Sequence, residues 1–81
     1  MFYVYALFSE KFDRLYIGQT RYIGYRLMSH NSGLVRSTKA YIPWRLVYVE
    51  MHPTRGDAMK REKELKSFRG REYIRSKMDQ W

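Results

Sequence analysis

The chain has 81 residues, 44% of them hydrophobic and 17% aromatic, a length that favours a single domain over 1–81. Cysteine is absent, which excludes disulfides, thiolate metal sites and cysteine nucleophiles. Sixteen Lys and Arg against eight Asp and Glu give a formal net charge of +8, which favours nucleic acid as the partner, although anionic membrane surfaces attract such domains too. No apolar run reaches the ~18 residues of a membrane span, and the lack of cysteine fits a reducing compartment, so we expect a cytoplasmic protein without a membrane partner.

The first part of the chain predicts a β-hairpin followed by a helix. Side chains alternate over 2–8 with the period of a strand, and 15–19 predicts a second short strand after a polar loop. Thr20 is suited to cap a helix over 21–30, which the Asn-Ser-Gly cluster at 31–33 would end.

The second part predicts one more strand and two helices. The strand covers 44–50, and Thr54 opens a helix because Asp57 follows it at the spacing of a capping box. We expect Gly70 to break this helix before a third one over 71–78. The order of elements predicts an α+β fold, in which a small antiparallel or mixed sheet packs against helices.

One acidic residue falls among apolar positions of the second predicted helix. At helical spacing, Glu62 shares a stripe with Ala58 and Leu65. A carboxylate among core residues costs free energy unless it has a partner or a metal. An ion pair with one of the sixteen basic residues and a functional site both remain open at this point.

Two basic residues of the first helix also flank an apolar stripe. Arg26 and His30 are four residues apart, beside Ile23 and Leu27, and therefore stack on one side of the helix. An arginine binds phosphate with fixed, charged donors, and a nearby histidine can contact phosphate or move a proton. The alternative is a histidine that interacts with the helix dipole and an arginine that extends to solvent.

The chain is rich in tyrosine, with eight in total. Tyr5 and Tyr16 can approach each other across the predicted hairpin. Most such tyrosines pack, as we also expect of Trp44 and Trp81. Phenols beside Arg, His and Glu could instead serve phosphodiester chemistry, where their ordinary pKa of ~10 makes them poor bases unless a cation or metal favours the phenolate.

Five short elements along the chain carry a family resemblance: Tyr3-Val4-Tyr5, Tyr16-Ile17-Gly18, Arg26, His30-Asn31 and Glu62. In this order and at these spacings they resemble the GIY-YIG endonuclease superfamily. The likeness is to its small stand-alone bacterial group, which is related to the N-terminal nuclease domain of the excision-repair protein UvrC. The resemblance implies a three-stranded antiparallel sheet flanked by about three helices.

The resemblance also implies a metal-dependent DNA endonuclease, in a structure-selective form suited to repair or recombination. Glu62 would bind the divalent metal, Mg²⁺ or Mn²⁺, and Arg26 would hold the scissile phosphate. Tyr5 or Tyr16 would accept the proton of the attacking water. His30 is a further candidate for base or phosphate ligand.

Other positions are assigned as nucleic-acid contacts. Gly18 would keep the strand end open near the substrate, and the charge and loop position of Arg36, Thr38 and Lys39 suggest contacts with the backbone. The chain departs from its relatives at Gln19, where UvrC-like proteins have Lys, and by the lack of an Asn on its last helix.

Other functions stay in competition with the endonuclease. The main alternative is a nucleic-acid-binding module with little or no catalytic activity, and a third is an accessory subunit that depends on a partner. RNA remains open as the substrate, and the sequence leaves the oligomeric state undetermined.

Overall fold

The computed structural model describes residues 1–78 as a three-stranded antiparallel sheet flanked by helices. Its elements are β1 (Phe2–Ser9), β2 (Arg14–Thr20), α1 (Ile23–Asn31), β3 (Arg45–His52), α2 (Arg55–Leu65) and α3 (Phe68–Met78), with a 3-10 turn at Lys39–Tyr41 between α1 and β3. The expected α+β class and the three-stranded sheet are therefore confirmed. The prediction that Trp81 packs concerns a residue outside the described range.

The first strand is the central one, because the strand order is β2-β1-β3. In the β1–β2 hairpin, Tyr5 pairs with Gly18 and Leu7 pairs with Tyr16. Successive side chains leave a strand on opposite faces. Tyr5 and Tyr16 therefore leave the sheet on the same face, as the alternation over 2–8 and 15–19 predicted.

Both faces of the sheet are buried. The central strand β1 allows this because it carries apolar or aromatic residues on both of its faces. On one face α2 and α3 pack over the strands. This core consists of Val4, Ala6, Ile17, Val47, Ala58, Leu65 and Ile74. On the other face α1 and the segment before β3 cover Tyr5, Leu7 and Trp44. Trp44 is buried, which confirms its predicted packing role.

The helix beginnings follow the sequence in one case and depart from it in another. Thr54 caps α2 as predicted, and its hydroxyl accepts a hydrogen bond of 3.1 Å from the Asp57 N–H. Thr20 was expected to cap α1, and this was wrong. The hydroxyl of Thr20 accepts from the Tyr22 N–H at 3.1 Å, and α1 begins only at Ile23.

The expectation that Gly70 breaks a helix was also wrong. The second helix ends at Leu65, and the Ser67 hydroxyl accepts a 3.1 Å hydrogen bond from the Gly70 N–H at the start of α3. A Cβ at Gly70 would lie 2.4 Å from the carbonyl oxygen of Glu64. The glycine is therefore part of α3, where its missing side chain lets α3 approach the end of α2.

The segment between α1 and β3 is held against the sheet by hydrogen bonds. The Asn31 amide donates to the Trp44 carbonyl at 2.9 Å and accepts from the Trp44 N–H at 2.6 Å. The indole N–H of Trp44 donates to the Thr38 carbonyl at 2.9 Å. These contacts bring the segment beneath the end of α1.

Within residues 1–78, no helix has the length and apolar character that crossing a membrane requires.

Candidate nuclease site

Two tyrosines and a histidine converge on the sheet face that α1 covers. The Tyr5 hydroxyl lies 3.0 Å from Nε2 of His30. The ring of Tyr16 lies beside both, with centroid distances of 4.8 Å to His30 and 6.3 Å to Tyr5. The hairpin register and the last turn of α1 thus join residues that are far apart in the sequence.

Arg26 adds a fixed positive charge to this group. It lies one helical turn before His30, close enough to both tyrosines for them to affect its pKa. The interaction with Tyr5 is the largest cause, and it raises the pKa of Arg26. Burial raises the pKa of Tyr5, and the nearby Arg26 opposes that effect without cancelling it. At neutral pH, Tyr5 is therefore a phenol beside a charged arginine.

His30 is completely buried, although it lies at the end of a helix. Its Nδ1 lies 2.8 Å from the hydroxyl oxygen of Thr38. Burial, with the charge of Arg26 added, lowers the pKa of His30 to about 4. The ring is consequently neutral at pH 7, with one nitrogen that donates and one that accepts.

Gly18 lies directly beneath the tyrosines. A Cβ at this position would be 2.8 Å from the Tyr5 hydroxyl and 3.1 Å from Cε2 of Tyr16. Real Cβ atoms essentially never show the first distance and rarely show the second, so a side chain at this position would displace the Tyr5 hydroxyl. The residue is buried, so its structural effect acts on the tyrosines.

Glu62 is partly buried and near this group. Its charge contributes to the raised pKa of Tyr5, after the larger effects of burial, Arg26 and Tyr16. Its side chain is 23% exposed, and Oε2 accepts a 2.7 Å hydrogen bond from the ammonium of Lys66. The ion pair that the sequence left open therefore exists, and it lies toward solvent.

The donor set determines what metal Glu62 could hold. Among residues 1–78, no group of three or more His, Cys, Asp or Glu side chains could form a complete cage for a metal ion. Mg²⁺ is commonly held by one or two carboxylates together with waters and substrate phosphates. A single accessible carboxylate near the phenols fits that kind of site and does not fit a closed structural one.

The predicted nucleic-acid contacts of the loop separate into two kinds. Arg36 and Lys39 are exposed, as a backbone contact requires. The side chain of Thr38 is 1% exposed and hydrogen-bonds to His30, so it faces the interior and has no surface to offer to a nucleic acid. Gln19 pairs with Val4, on the face opposite to the tyrosine rings, so a lysine at this position would not leave the sheet beside them.

Sequence reasoning missed a second polar group, on the other side of the molecule. Glu50 accepts hydrogen bonds from the Tyr48 hydroxyl and, at 2.8 Å each, from His52 and from Nε of Arg61. Burial acts to raise the pKa of Glu50, but these donors outweigh it and lower the pKa. Because the bond between Glu50 and Arg61 joins the two elements, we interpret this group as a structural link between β3 and α2.

A model of the GIY-YIG catalytic domain family matches residues 1–74. The chain belongs to the GIY-YIG family. This GIY-YIG chain is similar to a UPF0213 protein from Staphylococcus saprophyticus, with 40% identity over 67 residues that cover 82% of the chain and 80% of the relative. A UPF0213 protein from Staphylococcus aureus is 37% identical over 62 residues, which cover 75% of the chain and 76% of the relative.

A solved structure is similar as well. The solution NMR structure of a UPF0213 protein from Bacillus halodurans superposes with a TM-score of 0.56 and 34% sequence identity. The match covers 94% of the GIY-YIG chain and 84% of the NMR structure. The fold and the family are thus supported by sequence and by structure, and the family suggests a nuclease that binds nucleic acid.

Proposed function

We propose that this GIY-YIG domain is a divalent-metal-dependent endonuclease that hydrolyses phosphodiester bonds of DNA. The observation that carries the proposal is the convergence of Tyr5, Tyr16, Arg26 and His30 on one face, with the Glu62 charge close enough to affect Tyr5. A purely structural core has no need for four such groups together. The net charge of +8 supports attraction to a polyanion.

Each residue has a distinct role in this proposal. Arg26 holds the scissile phosphate and stabilises the charge that develops on it. Tyr16 accepts the proton of the attacking water, because it is partly exposed beside Arg26, whereas Tyr5 is buried and hydrogen-bonded to His30. Arg36 and Lys39 contact the DNA backbone.

Glu62 would hold the metal, Mg²⁺ or Mn²⁺, through its carboxylate. When bound, the metal supplies positive charge next to the phosphate and the leaving oxygen. Lys66 contacts Oε2 of this carboxylate at 2.7 Å, so Oε1 would be the oxygen that holds the metal.

The contact with Lys66 is also the observation that favours the second candidate function, a nucleic-acid-binding module without cleavage. In that case Glu62 would be a helix-surface residue that pairs with Lys66 one turn later. DNA binding would then be sensitive to salt and independent of metal.

A plasmid-nicking assay separates the two functions. Wild type, Glu62→Gln and Glu64→Gln are incubated with supercoiled DNA in Mg²⁺, Mn²⁺ or EDTA, after circular dichroism shows that all three are folded. Glu64 is the matched control, because it lies on the same helix and is 56% exposed. We expect metal-dependent nicking by wild type and Glu64→Gln, and a loss of about 100-fold or more in Glu62→Gln. Salt-sensitive binding without nicking by any of the three would support the binding module.

The substrate class is tested by comparing the cleavage of branched DNA, plain duplex DNA and RNA. We propose that the domain acts in the cytoplasm on distorted or branched DNA of the kind that repair and recombination produce. Branched DNA should be cut faster than plain duplex and faster than RNA of the same sequence. Equal rates on plain and branched duplexes would contradict the structure selectivity, and faster cleavage of RNA would change the substrate.

A further inference from the structure

A line of three buried polar side chains runs through the site from Tyr5 to His30 to Thr38. All three are at most 1% exposed, and the two contacts are 3.0 Å and 2.8 Å long. We propose that Thr38 is a positioning residue that fixes the tautomer of His30, so that Nε2 of the ring receives the hydrogen bond of the Tyr5 hydroxyl. The catalytic meaning of this role rests on the proposed nuclease function, whereas the tautomer itself does not.

The position of each proton follows from what the neighbours of Tyr5 can do. The charged guanidinium of Arg26 is close enough to act against the burial that raises the pKa of Tyr5, and a guanidinium can only donate. A Tyr5 hydroxyl proton that points away from this charge points to Nε2 of His30, 3.0 Å away. In this arrangement Nε2 is the nitrogen that accepts.

The other ring nitrogen then carries the hydrogen and needs an acceptor. Nδ1 of His30 donates to the hydroxyl oxygen of Thr38 at 2.8 Å. The proton of that hydroxyl is accepted by the carbonyl oxygen of Val35 at 3.3 Å. A backbone carbonyl can only accept, so it determines which atom donates in each hydrogen bond of the line from Tyr5 to Val35.

The backbone of Thr38 is held independently of its side chain. Its carbonyl accepts from the indole of Trp44 at 2.9 Å and from the Tyr41 N–H at 3.1 Å. The threonine hydroxyl is thus presented to His30 by a fixed segment. This arrangement also explains why a threonine in a basic loop is buried, while Arg36 and Lys39 beside it are exposed.

The consequence for the site is an oriented phenol. With its proton directed at His30, the Tyr5 oxygen turns its lone pairs toward Arg26, which keeps the guanidinium in place for a phosphate. Without the Thr38 hydroxyl, Nδ1–H would have no partner in the line, and both tautomers of His30 would become comparable in energy.

The tautomer of His30 is measured directly by two-bond ¹H–¹⁵N correlation spectra of histidine-labelled protein at about pH 7, where an ordinary histidine is already largely neutral. EDTA is present, so that the result is independent of metal and of cleavage. A His30→Gln variant assigns the signals, because the chain has only two histidines. Wild type and Thr38→Ser should show hydrogen on Nδ1, and Thr38→Val should lose that preference. Hydrogen on Nε2 in the wild type, or an unchanged preference in Thr38→Val, would overturn the proposal.

Nicking assays of the same variants add the functional part. Thr38→Val should lower the rate by about 10-fold, as removal of an orienting partner commonly does. Thr38→Ser and Ser37→Ala, which alters an exposed neighbour, should stay near the wild-type rate. If Thr38→Val does not fold, the wild-type and Thr38→Ser spectra still decide the tautomer. Hydrogen on Nδ1 together with no nicking by any protein would contradict the nuclease function and leave the role of Thr38 standing.

Discussion

Replacing Gly18 by Ala tests whether the Tyr5 hydroxyl has to occupy its observed place. The added methyl group would lie 2.8 Å from that hydroxyl, 3.0 Å from Cζ of the same ring and 3.1 Å from Cε2 of Tyr16. The chain elsewhere would be unchanged. The substitution therefore acts on the two tyrosines from below, without altering a hydrogen-bonding group.

The size of the effect follows from these distances. Ordinary contact begins at 3.4 Å, so the Tyr5 hydroxyl would have to move by about 0.6 Å. Its hydrogen bond to His30 is 3.0 Å long, and a displacement of this size would lengthen or bend it. Overpacking of this kind costs ~1–3 kcal/mol of unfolding free energy, which lowers the melting temperature of a domain of this size by about 4 °C or more. Misplaced site groups should also slow nicking by about 10-fold or more.

Thermal unfolding followed by circular dichroism, together with the nicking assay, measures both effects. Gly24→Ala is the matched control, because a Cβ there meets no atom of residues 1–78 within 4 Å. Alanine in a helix is favoured over glycine by ~0.5–1 kcal/mol, so this variant should be slightly more stable than the wild type. A Gly18→Ala protein that melts and nicks like the wild type would refute the reasoning, because Tyr5 would then tolerate another position.

Two further predictions concern the same site. Tyr16→Phe should abolish nicking and Tyr5→Phe should only weaken it, and the reverse order of rates would move the proton acceptor to Tyr5. The pKa of His30 is about 4 in the folded protein and 6.5 for an ordinary histidine, so the unfolded chain binds more protons between these values. Unfolding free energy should therefore fall by roughly 3 kcal/mol as pH drops from above 6.5 to about 4. Urea unfolding across this range should show the loss in wild type and a smaller loss in His30→Gln.

The strands could be predicted from the sequence because their pattern is local. The alternation over 2–8 gave both the strand and its two faces, and the face of Tyr5 proved to be the one with Tyr16. The alternation could not show which face of the strand would pack on helices α2 and α3 and which would face α1. The face of Val4 packs on two helices, and the face of Tyr5 carries the candidate site, a difference that depends on where distant helices lie.

The position of the break between α2 and α3 could not be predicted, because a glycine can either end a helix or allow close contact within one. As an isolated residue it lowers helix propensity by ~1 kcal/mol, which favours a break at Gly70. Here the close approach to Glu64 requires a residue without a side chain, and that tertiary contact outweighs the propensity. The capping hydroxyl of Ser67 was a local signal for the true start of α3.

Thr38 shows a different limit of sequence reasoning. Its neighbours Arg36 and Lys39 are charged, and the loop position favoured a surface contact. Only the hydrogen bonds between Asn31, Trp44 and the loop reveal that the segment folds back under α1. The available signal was the apolar content of the loop, since Val35 and Ile42 are partly buried and Ile42 packs on the cluster of Tyr5, Leu7 and Trp44.

The two interpretations of Glu62 can be weighed by magnitude. Helical periodicity put this carboxylate on the stripe of Ala58 and Leu65, and both of those residues are buried. The pair with Lys66 is half exposed on the lysine side, and i,i+4 pairs of this kind contribute only ~0.3–0.5 kcal/mol. Such a contact is too weak to explain a carboxylate kept at the edge of a core, where its charge reaches Tyr5. It is also weak enough to leave the carboxylate available to a divalent cation, which Glu62 would hold in the proposed enzyme.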